Sequence, residues 1–233
     1  MKYANTEFYF SPNKNISEDE ITLSENEAKH AIKVMRKNVG EKLYVTDGKG
    51  NVYETKILFV YQNDVRLKIV NREFIKEKFP NINFYIPTLK SPDRLEFALE
   101  KLVELGFTNF IFFVAEKSYK KNIKFERLGK IALAAMKQSL QAHLPKLILL
   151  EKLKIQNNET TIIFEQLAEE NFNGFVSSSL SKNYNLVFGP EGGLTDKEIN
   201  SIENRKLLNL TENRLRAETA MIAAGSVISI KSC

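Results

Sequence analysis

The sequence predicts an α/β protein in which a small β-barrel precedes a domain with a mainly parallel sheet. Short strands grouped around one helix occupy the first 70 residues, and strand–helix alternation begins at residue 84. The second pattern is typical of a parallel sheet covered by helices. A charged stretch at 73–83 separates the two patterns. We therefore expect domains at 1–72 and 73–233.

Four segments of the first domain have the alternation and flanking turn signals of β-strands. They are 8–10, 42–46, 52–60 and 65–70. Ser24, with Glu27 three residues further on, has the form of a capping box that begins a short helix containing Ala28 and Met35. Short strands around a single helix favour a small barrel.

The second domain alternates between strands and helices. Apolar runs too short for a helix indicate buried strands, and apolar residues at helical spacing indicate helices. The predicted strands are 84–87, 109–114, 160–164, 185–188 and 207–210. The predicted helices are 92–105, 125–140, 196–204 and 217–230. Gly106 suits the end of the first of these helices, and Thr195 can cap the third.

Composition excludes several classes of protein. The chain has 233 residues, of which 43% are hydrophobic and 27% charged, the balance of a folded protein. Cys233 is the only cysteine, which excludes a disulfide scaffold, and two histidines argue against a zinc site. No apolar run approaches the roughly 18 residues of a membrane span, and the N-terminus lacks an apolar signal core. We expect a cytoplasmic protein without a metal.

Positive charge is concentrated in the middle of the chain. Residues 76–160 carry 15 basic and 9 acidic side chains. The densest basic cluster consists of Lys117, Lys120, Lys121 and Lys124. Such a cluster is either a solvated surface or a patch that contacts nucleic-acid phosphates.

The first motif with chemical content is Phe188-Gly-Pro-Glu-Gly-Gly-Leu-Thr195. It follows an apolar strand and precedes a helix, which is where open α/β sheets bind ligands. Its three glycines let the backbone approach a ligand closely. It lacks the Lys-Ser/Thr pair of a Walker loop and the spacing of a dinucleotide fingerprint. From spacing alone, a tight turn without a ligand is the alternative.

The second motif is Leu215-Arg-Ala-Glu-Thr-Ala220, where a polar loop enters a helix of small residues. Arg214 and Arg216 lie at the start of that helix, where the helix dipole disfavours cations. This position favours a functional role for Arg216. The alternative is a structural ion pair with Glu191 or Glu218.

The two motifs together resemble the hallmark of SPOUT-class RNA methyltransferases. The most similar family methylates N3 of a uridine in 16S ribosomal RNA, and the similarity extends over most of the chain. Residues 28–36 and 47–50 resemble that family's PUA-like RNA-binding barrel, and residues 90–106 resemble the opening of its catalytic domain.

The resemblance implies a C-terminal SPOUT domain with a trefoil knot that binds S-adenosyl-L-methionine and forms a homodimer. It implies an rRNA (uracil-N3-)methyltransferase that acts on the small ribosomal subunit during ribosome biogenesis. The implied cofactor-binding residues lie in three loops. They are Glu165, Phe188, Gly189, Pro190, Glu191, Gly192, Gly193, Leu208, Leu210, Asn213, Leu215 and Thr219.

Uracil N3 carries a proton, so the implied reaction needs a proton acceptor or a group that stabilises the uracil anion. Arg216 is the candidate for stabilising the anion. Glu191 or Glu218 would accept the proton or orient Arg216, and the sequence does not choose between them. The expected RNA contacts are Lys33, Arg36, Lys117, Lys120, Lys121 and Lys124.

Two other functions stay open at this point. One is a SPOUT enzyme that methylates the ribose 2′-oxygen of transfer or ribosomal RNA. The other is a noncatalytic RNA-binding assembly factor with the same fold. Nucleoside analysis of the product distinguishes the two enzymes, and a test of cofactor binding identifies the noncatalytic protein.

Overall fold

A computed structural model describes residues 3, 6–62, 64–119, 123–155, 159–179 and 183–232. The chain divides into two compact units. The first consists of Met1–Glu77 and Met136–Leu144, and the second of Lys78–Ala135 and Pro145–Cys233. The domains expected at 1–72 and 73–233 stay a prediction, because compactness alone does not define a domain that folds or functions independently.

The first unit is built on a five-stranded sheet. Its strands are β1 (Phe8–Phe10), β2 (Glu20–Leu23), β3 (Lys42–Thr46), β4 (Asn51–Tyr61) and β5 (Asp64–Phe74). Their order is β1-β3-β4-β5-β2, in which β1 and β3 are parallel and the other neighbours antiparallel. Ser11 Oγ donates to the carbonyl O of Thr22 over 3.0 Å. This bond joins the ends of the two edge strands, as a small barrel requires.

The core of the first unit lies along the inward positions of these strands, as their alternation predicts. The buried strand residues include Ile21, Leu23, Leu43, Val45, Val65 and Leu67. Helix α1 (Glu25–Lys29) continues through a wider turn at His30–Val34 and buries Ala28 and Ala31 against this core.

The capping box expected at Ser24 is wrong. Ser24 occupies the N-cap of α1, but its side chain makes no capping hydrogen bond. Glu27 instead accepts hydrogen bonds from the Phe10 N–H at 3.0 Å and from Lys137 Nζ at 2.5 Å. The Glu27 carboxylate, which a capping box would have bonded to the start of α1, is therefore bound by residues distant in sequence.

A later segment that contains Ala142 and His143 completes the first unit. The carbonyl O of Ala142 accepts from the Gly50 N–H at 2.9 Å and from Thr46 Oγ1 at 3.1 Å. Nε2 of His143 lies 2.7 Å from the carbonyl O of Ile75. Gly50 has φ +102°, and a Cβ there would lie 2.9 Å from both the Ile75 oxygen and the His143 ring. The turn at Gly50 therefore requires glycine.

The second unit contains a six-stranded, all-parallel sheet. Its strands are β6 (Ile82–Pro87), β7 (Asn109–Phe113), β8 (Lys146–Leu150), β9 (Thr160–Phe164), β10 (Tyr184–Val187) and β11 (Arg205–Leu208). Their order is β11-β9-β10-β6-β7-β8. The chain builds β7 and β8 on one side of β6 and then crosses to the other side. The strand order reverses between β6 and β10, which is where such sheets form ligand crevices.

The described structure also contains a short 3-10 helix at Asn13–Asn15 and five further α-helices. The α-helices are α2 (Pro92–Glu104), α3 (Phe125–Gln138), α4 (Phe172–Ser179), α5 (Asp196–Asn200) and α6 (Ala217–Lys231). The predictions for α2, α3 and α6 agree with the structure within two residues at each end, whereas α5 ends four residues earlier than predicted. In the described part of the chain, no helix has the length and apolar character needed to cross a membrane. The trefoil knot implied by the resemblance stays a prediction.

Candidate active site

A cavity of about 860 Å³ lies at the carboxyl ends of three adjacent strands. Its walls are residues 164–167 at the end of β9, 188–193 after β10, and 210, 211, 213–218 and 220 after β11, together with Arg94 of α2. Because all strands are parallel, their following loops meet at one edge of the sheet. The volume is in the range of pockets that enclose a small organic ligand.

Stacked aromatic rings support two of the three loops. Phe188, the first residue of the glycine-rich loop, is 1% exposed. Its ring stacks on Phe164 at 4.6 Å and on Phe84 at 6.0 Å between centroids. Phe164 also packs edge-on against Phe172 of α4. Such ring pairs contribute about 0.5–1.5 kcal/mol each beyond the area they bury, so the starts of both loops are held firmly.

Glycine is favoured at two positions of the glycine-rich loop for different reasons. The Gly193 N–H donates to the carbonyl O of Pro190 over 2.8 Å, and Gly193 has φ +71°. At Gly189, a Cβ would lie 3.2 Å from the Leu194 nitrogen and 3.3 Å from the Gly193 Cα. The loop therefore folds tightly back on itself, with its backbone at the cavity wall.

The cap expected at Thr195 is confirmed and is a complete capping box. Thr195 Oγ1 accepts from the Glu198 N–H at 3.2 Å, and the Thr195 N–H donates to Glu198 Oε2 at 2.8 Å. Glu198 is buried, and its Oε1 also accepts from the Glu116 N–H at 3.0 Å. Glu198 thus joins the loop after β7 to the end of the glycine-rich loop. This role of Glu198 was not among the expectations from the sequence, although the Thr-x-x-Glu spacing signals it.

Arg216 brings a positive charge to the cavity. Arg216 is the N-cap residue of α6 and lines the cavity, and it has no ion pair within the described part of the chain. The alternative ion pair with Glu191 or Glu218 is not formed there. Glu218 Oε1 instead lies 3.4 Å from Arg94 Nε, and Glu191 Oε1 accepts from the Lys90 N–H at 3.0 Å. Among the described residues, the cavity therefore combines two arginines without an ion pair, Arg214 and Arg216, with two anchored carboxylates.

Most of the expected cofactor residues line this cavity. Glu165 is among them, and its Oε1 accepts from the Gln166 N–H at 3.0 Å. Two expected residues do not line it: Leu208 is fully buried at the end of β11, and Thr219 is exposed on α6. Arg94 lines the cavity although the sequence analysis did not assign it a role. The cofactor and catalytic roles stay predictions.

The expected RNA-contacting residues are exposed where the structure describes them. Lys33 and Arg36 lie on the surface of the first unit, and Lys117 and Lys124 on the surface of the second. Outside the described residues are Lys120 and Lys121. Exposure permits phosphate contacts but does not select between them and a solvated surface.

Two family models match the chain. One, described as an RNA methyltransferase domain, matches residues 77–229. The other, described as an RNA methyltransferase PUA domain, matches residues 23–70. The first match covers more than half of the chain, so the chain belongs to the RNA methyltransferase family. The expected SPOUT-class resemblance and PUA-like domain are confirmed.

Individual relatives agree with this family. The Ribosomal RNA small subunit methyltransferase E of Rickettsia conorii is 29% identical over 215 residues, which cover 88% of this chain and 87% of the relative. A crystal structure of a probable rRNA-methyltransferase from Porphyromonas gingivalis has a TM-score of 0.82 at 27% identity, covering 94% of this chain and 95% of its own.

A third relative shares the fold. It is the structure of a Ribosomal RNA small subunit methyltransferase E from Neisseria gonorrhoeae bound to S-adenosyl methionine. Its TM-score is 0.83 at 23% identity, covering 97% of this chain and 98% of its own.

Proposed function

We propose that this chain uses S-adenosyl-L-methionine to methylate N3 of a uridine in 16S ribosomal RNA. Membership of the RNA methyltransferase family supports RNA methylation, and the names of the curated relatives support the small ribosomal subunit. The observation that carries the proposal is the cavity in which Arg216, without an ion-pair partner among the described residues, lies with the carboxylates of Glu191 and Glu218.

The cavity walls fit S-adenosyl-L-methionine. A volume of about 860 Å³ suits a cofactor of this size. Leu210 and Leu215 provide apolar surface for the adenine, and the backbone of Gly189–Gly193 provides hydrogen-bonding groups. The Glu165 carboxylate is suited to accept hydrogen bonds from ribose hydroxyls. When bound, the cofactor supplies a methyl group on a sulfonium that departs as a neutral thioether.

Arg216 and Glu191 have complementary roles in activating the uracil. N3 attacks only after its proton has left, and the negative charge then spreads to the uracil oxygens. A fixed guanidinium stabilises that charge, which is the role we assign to Arg216. Glu191 accepts the proton, and the electron pair left on N3 forms the new N–C bond.

The surroundings of the two carboxylates favour Glu191 as the acceptor. Glu218 is engaged by the Arg94 guanidinium at 3.4 Å. Glu191 receives one backbone hydrogen bond on Oε1, and its other oxygen has no partner among the described residues. Glu218 would then hold Arg94 in place at the cavity wall.

N3 lies on the pairing edge of uracil, so the target base must be unpaired or flipped out of a helix. Basic residues on both units would hold the surrounding RNA through its phosphates. We assign this role to Lys33, Arg36, Lys117, Lys120, Lys121 and Lys124. Charge reversal at Lys33 and Arg36 is expected to weaken RNA binding and flatten its salt dependence, and unchanged binding would remove them from the proposal.

The resemblance also supports a homodimer. Sedimentation equilibrium of the full chain gives a mass near twice 26.7 kDa if this inference holds. A monomer at concentrations where the protein is active contradicts it.

The decisive experiment uses small ribosomal subunits from cells that lack this protein. We expect incubation with methyl-labelled S-adenosyl-L-methionine, RNA digestion and nucleoside analysis to yield labelled 3-methyluridine. A labelled ribose methyl would instead identify a 2′-O-methyltransferase. No label and no cofactor binding by the folded protein would identify a noncatalytic protein.

Arg216→Ala separates catalysis from binding in the same assay. Removing a donor that stabilises transition-state charge typically lowers kcat by about 10²–10³-fold. We expect such a loss with cofactor affinity retained. Arg127→Ala is the matched control, because Arg127 pairs with Glu96 outside the cavity. Normal turnover by Arg216→Ala would exclude Arg216 from the mechanism.

A further inference from the structure

An exposed aromatic side chain lies in the loop that follows β7. Tyr119 is 72% exposed, the largest value among the described tyrosines and phenylalanines. Its hydroxyl has no hydrogen-bond partner in the described part of the chain. The Nζ of Lys90 lies 5.0 Å from the centroid of the Tyr119 ring, within the range of a cation–π contact. Neither core packing nor hydrogen bonding explains a tyrosine at this position.

The backbone that leads to Tyr119 is held by hydrogen bonds as far as Ser118. The neighbouring residue Ser118 is buried, and its Oγ accepts from the Ala115 N–H at 3.1 Å and donates to the Thr88 carbonyl at 3.2 Å. The buried carboxylate of Glu198 holds the same loop through the Glu116 N–H. A held backbone presents the ring outward with little further loss of entropy on binding.

Two contacts connect Lys90 and the loop after β7 to the cavity. The backbone N–H of Lys90 donates to Glu191, a cavity-lining residue. Lys117 packs against Gly192 so closely that a Cβ on Gly192 would lie 3.2 Å from the Lys117 Cβ. Tyr119 therefore has Lys90 beside its ring and Lys117 two residues before it in the chain, and both lysines contact the glycine-rich loop.

An exposed aromatic ring with basic side chains nearby has the chemistry of a site that binds single-stranded nucleic acid. Aromatic rings stack on any base, while neighbouring cations contact the phosphates. We propose that Tyr119 stacks on a base of the substrate RNA next to the methylated nucleotide, with Lys90 and Lys117 at the adjoining phosphates. This inference rests on the proposed function, because it assumes that RNA approaches this cavity.

The chain contains no tryptophan, so a single introduced tryptophan reports on one position only. The Tyr119→Trp variant is titrated with decauridine, because stacking on a base quenches indole fluorescence. Phe97→Trp is the matched control: Phe97 is half-exposed in the same unit, has Lys101 Nζ 5.6 Å from its ring, and does not line the cavity. We expect saturable quenching at position 119 that is absent at position 97. Equal quenching at both positions, or at neither, overturns the proposal.

Steady-state methylation of small subunits tests the consequence for the substrate. Loss of one stacked base corresponds to a roughly 5- to 150-fold weaker interaction with RNA. We therefore expect Tyr119→Leu to raise KM for the subunits by that factor without changing the KM for S-adenosyl-L-methionine. Tyr119→Phe keeps the ring and is expected to bind RNA more tightly than Tyr119→Leu.

If Tyr119→Leu and Tyr119→Phe have the same KM for the subunits, stacking is refuted. The fluorescence titration needs no turnover. Absence of methyl transfer by the wild type would therefore refute the proposed function while the titration still judges the role of Tyr119.

Discussion

Gly189→Ala tests whether the tight fold of the glycine-rich loop is required for cofactor binding. A Cβ on Gly189 would lie 3.2, 3.3 and 3.4 Å from three backbone atoms of Leu194 and Gly193, and ordinary contacts begin at 3.4 Å. These atoms belong to the backbone, and the bond from Gly193 to Pro190 restrains them. The loop must therefore open by a few tenths of an ångström.

The cost of this crowding sets the expected effect. Overpacking of this kind costs about 1–3 kcal/mol. If the loop relaxes by opening, cofactor binding must restore the original geometry at the same cost. The dissociation constant for S-adenosyl-L-methionine is then expected to rise by about 5- to 150-fold.

Isothermal titration calorimetry of the full chain with S-adenosyl-L-methionine measures this effect. Gly174→Ala is the control, because Gly174 lies on α4 and no atom lies within 4 Å of the added Cβ. The reasoning is refuted if Gly189→Ala binds the cofactor within twofold of Gly174→Ala. Absence of binding by the wild type would refute the proposed cofactor instead.

Three further predictions concern stability and are checked by urea unfolding. Gly50→Ala combines a left-handed backbone with crowding and is expected to lower the free energy of unfolding by about 2–5 kcal/mol. Its control is Gly40→Ala, where φ is +88° and the surroundings are open, and we expect a loss of about 1–2 kcal/mol there. Equal losses would show that the crowding at Gly50 is relieved. Glu198→Gln replaces a buried carboxylate that accepts several hydrogen bonds, so we expect the free energy of unfolding to fall by about 1–3 kcal/mol. An unchanged unfolding midpoint would contradict the anchoring role of Glu198. Burial raises the pKa of Tyr9 above its ordinary value of 10.0. Above pH 10.0, Tyr9 therefore loses its proton in the unfolded state but keeps it in the folded state, and the free energy of unfolding falls. Tyr9→Phe should therefore lose less stability than the wild type between pH 9 and pH 11, and identical losses would contradict this assignment.

Local sequence is sufficient to predict one of two capping boxes but not the other. Ser24 with Glu27 and Thr195 with Glu198 have the same capping-box spacing, yet only the second forms. Glu27 is captured by Phe10 and by a lysine far along the chain. A local pattern specifies which hydrogen bonds are available, and partners distant in sequence decide which of them form.

Helix α4 and strand β8 were not predicted from the sequence, because local preferences do not specify them. Helix α4 contains glycine and several serines, which are weak helix formers. It nevertheless buries Phe172 and Val176, and Phe172 packs edge-on against Phe164 of the sheet. Packing therefore stabilises a helix that propensity does not predict. Strand β8 has two exposed apolar residues, Ile148 and Leu149, so its pattern does not indicate which face is inward.

The sequence by itself determined the order of most strands and helices, the glycine-rich loop and the cap at Thr195, because these depend on neighbours within a few residues. The tertiary structure decided that Glu218 pairs with Arg94, while Arg216 at the cavity has no ion pair with any residue that the structure describes. It also decided that the segment with Ala142 completes the first unit. Both outcomes depend on distances between elements far apart in the chain, which periodicity and spacing do not contain.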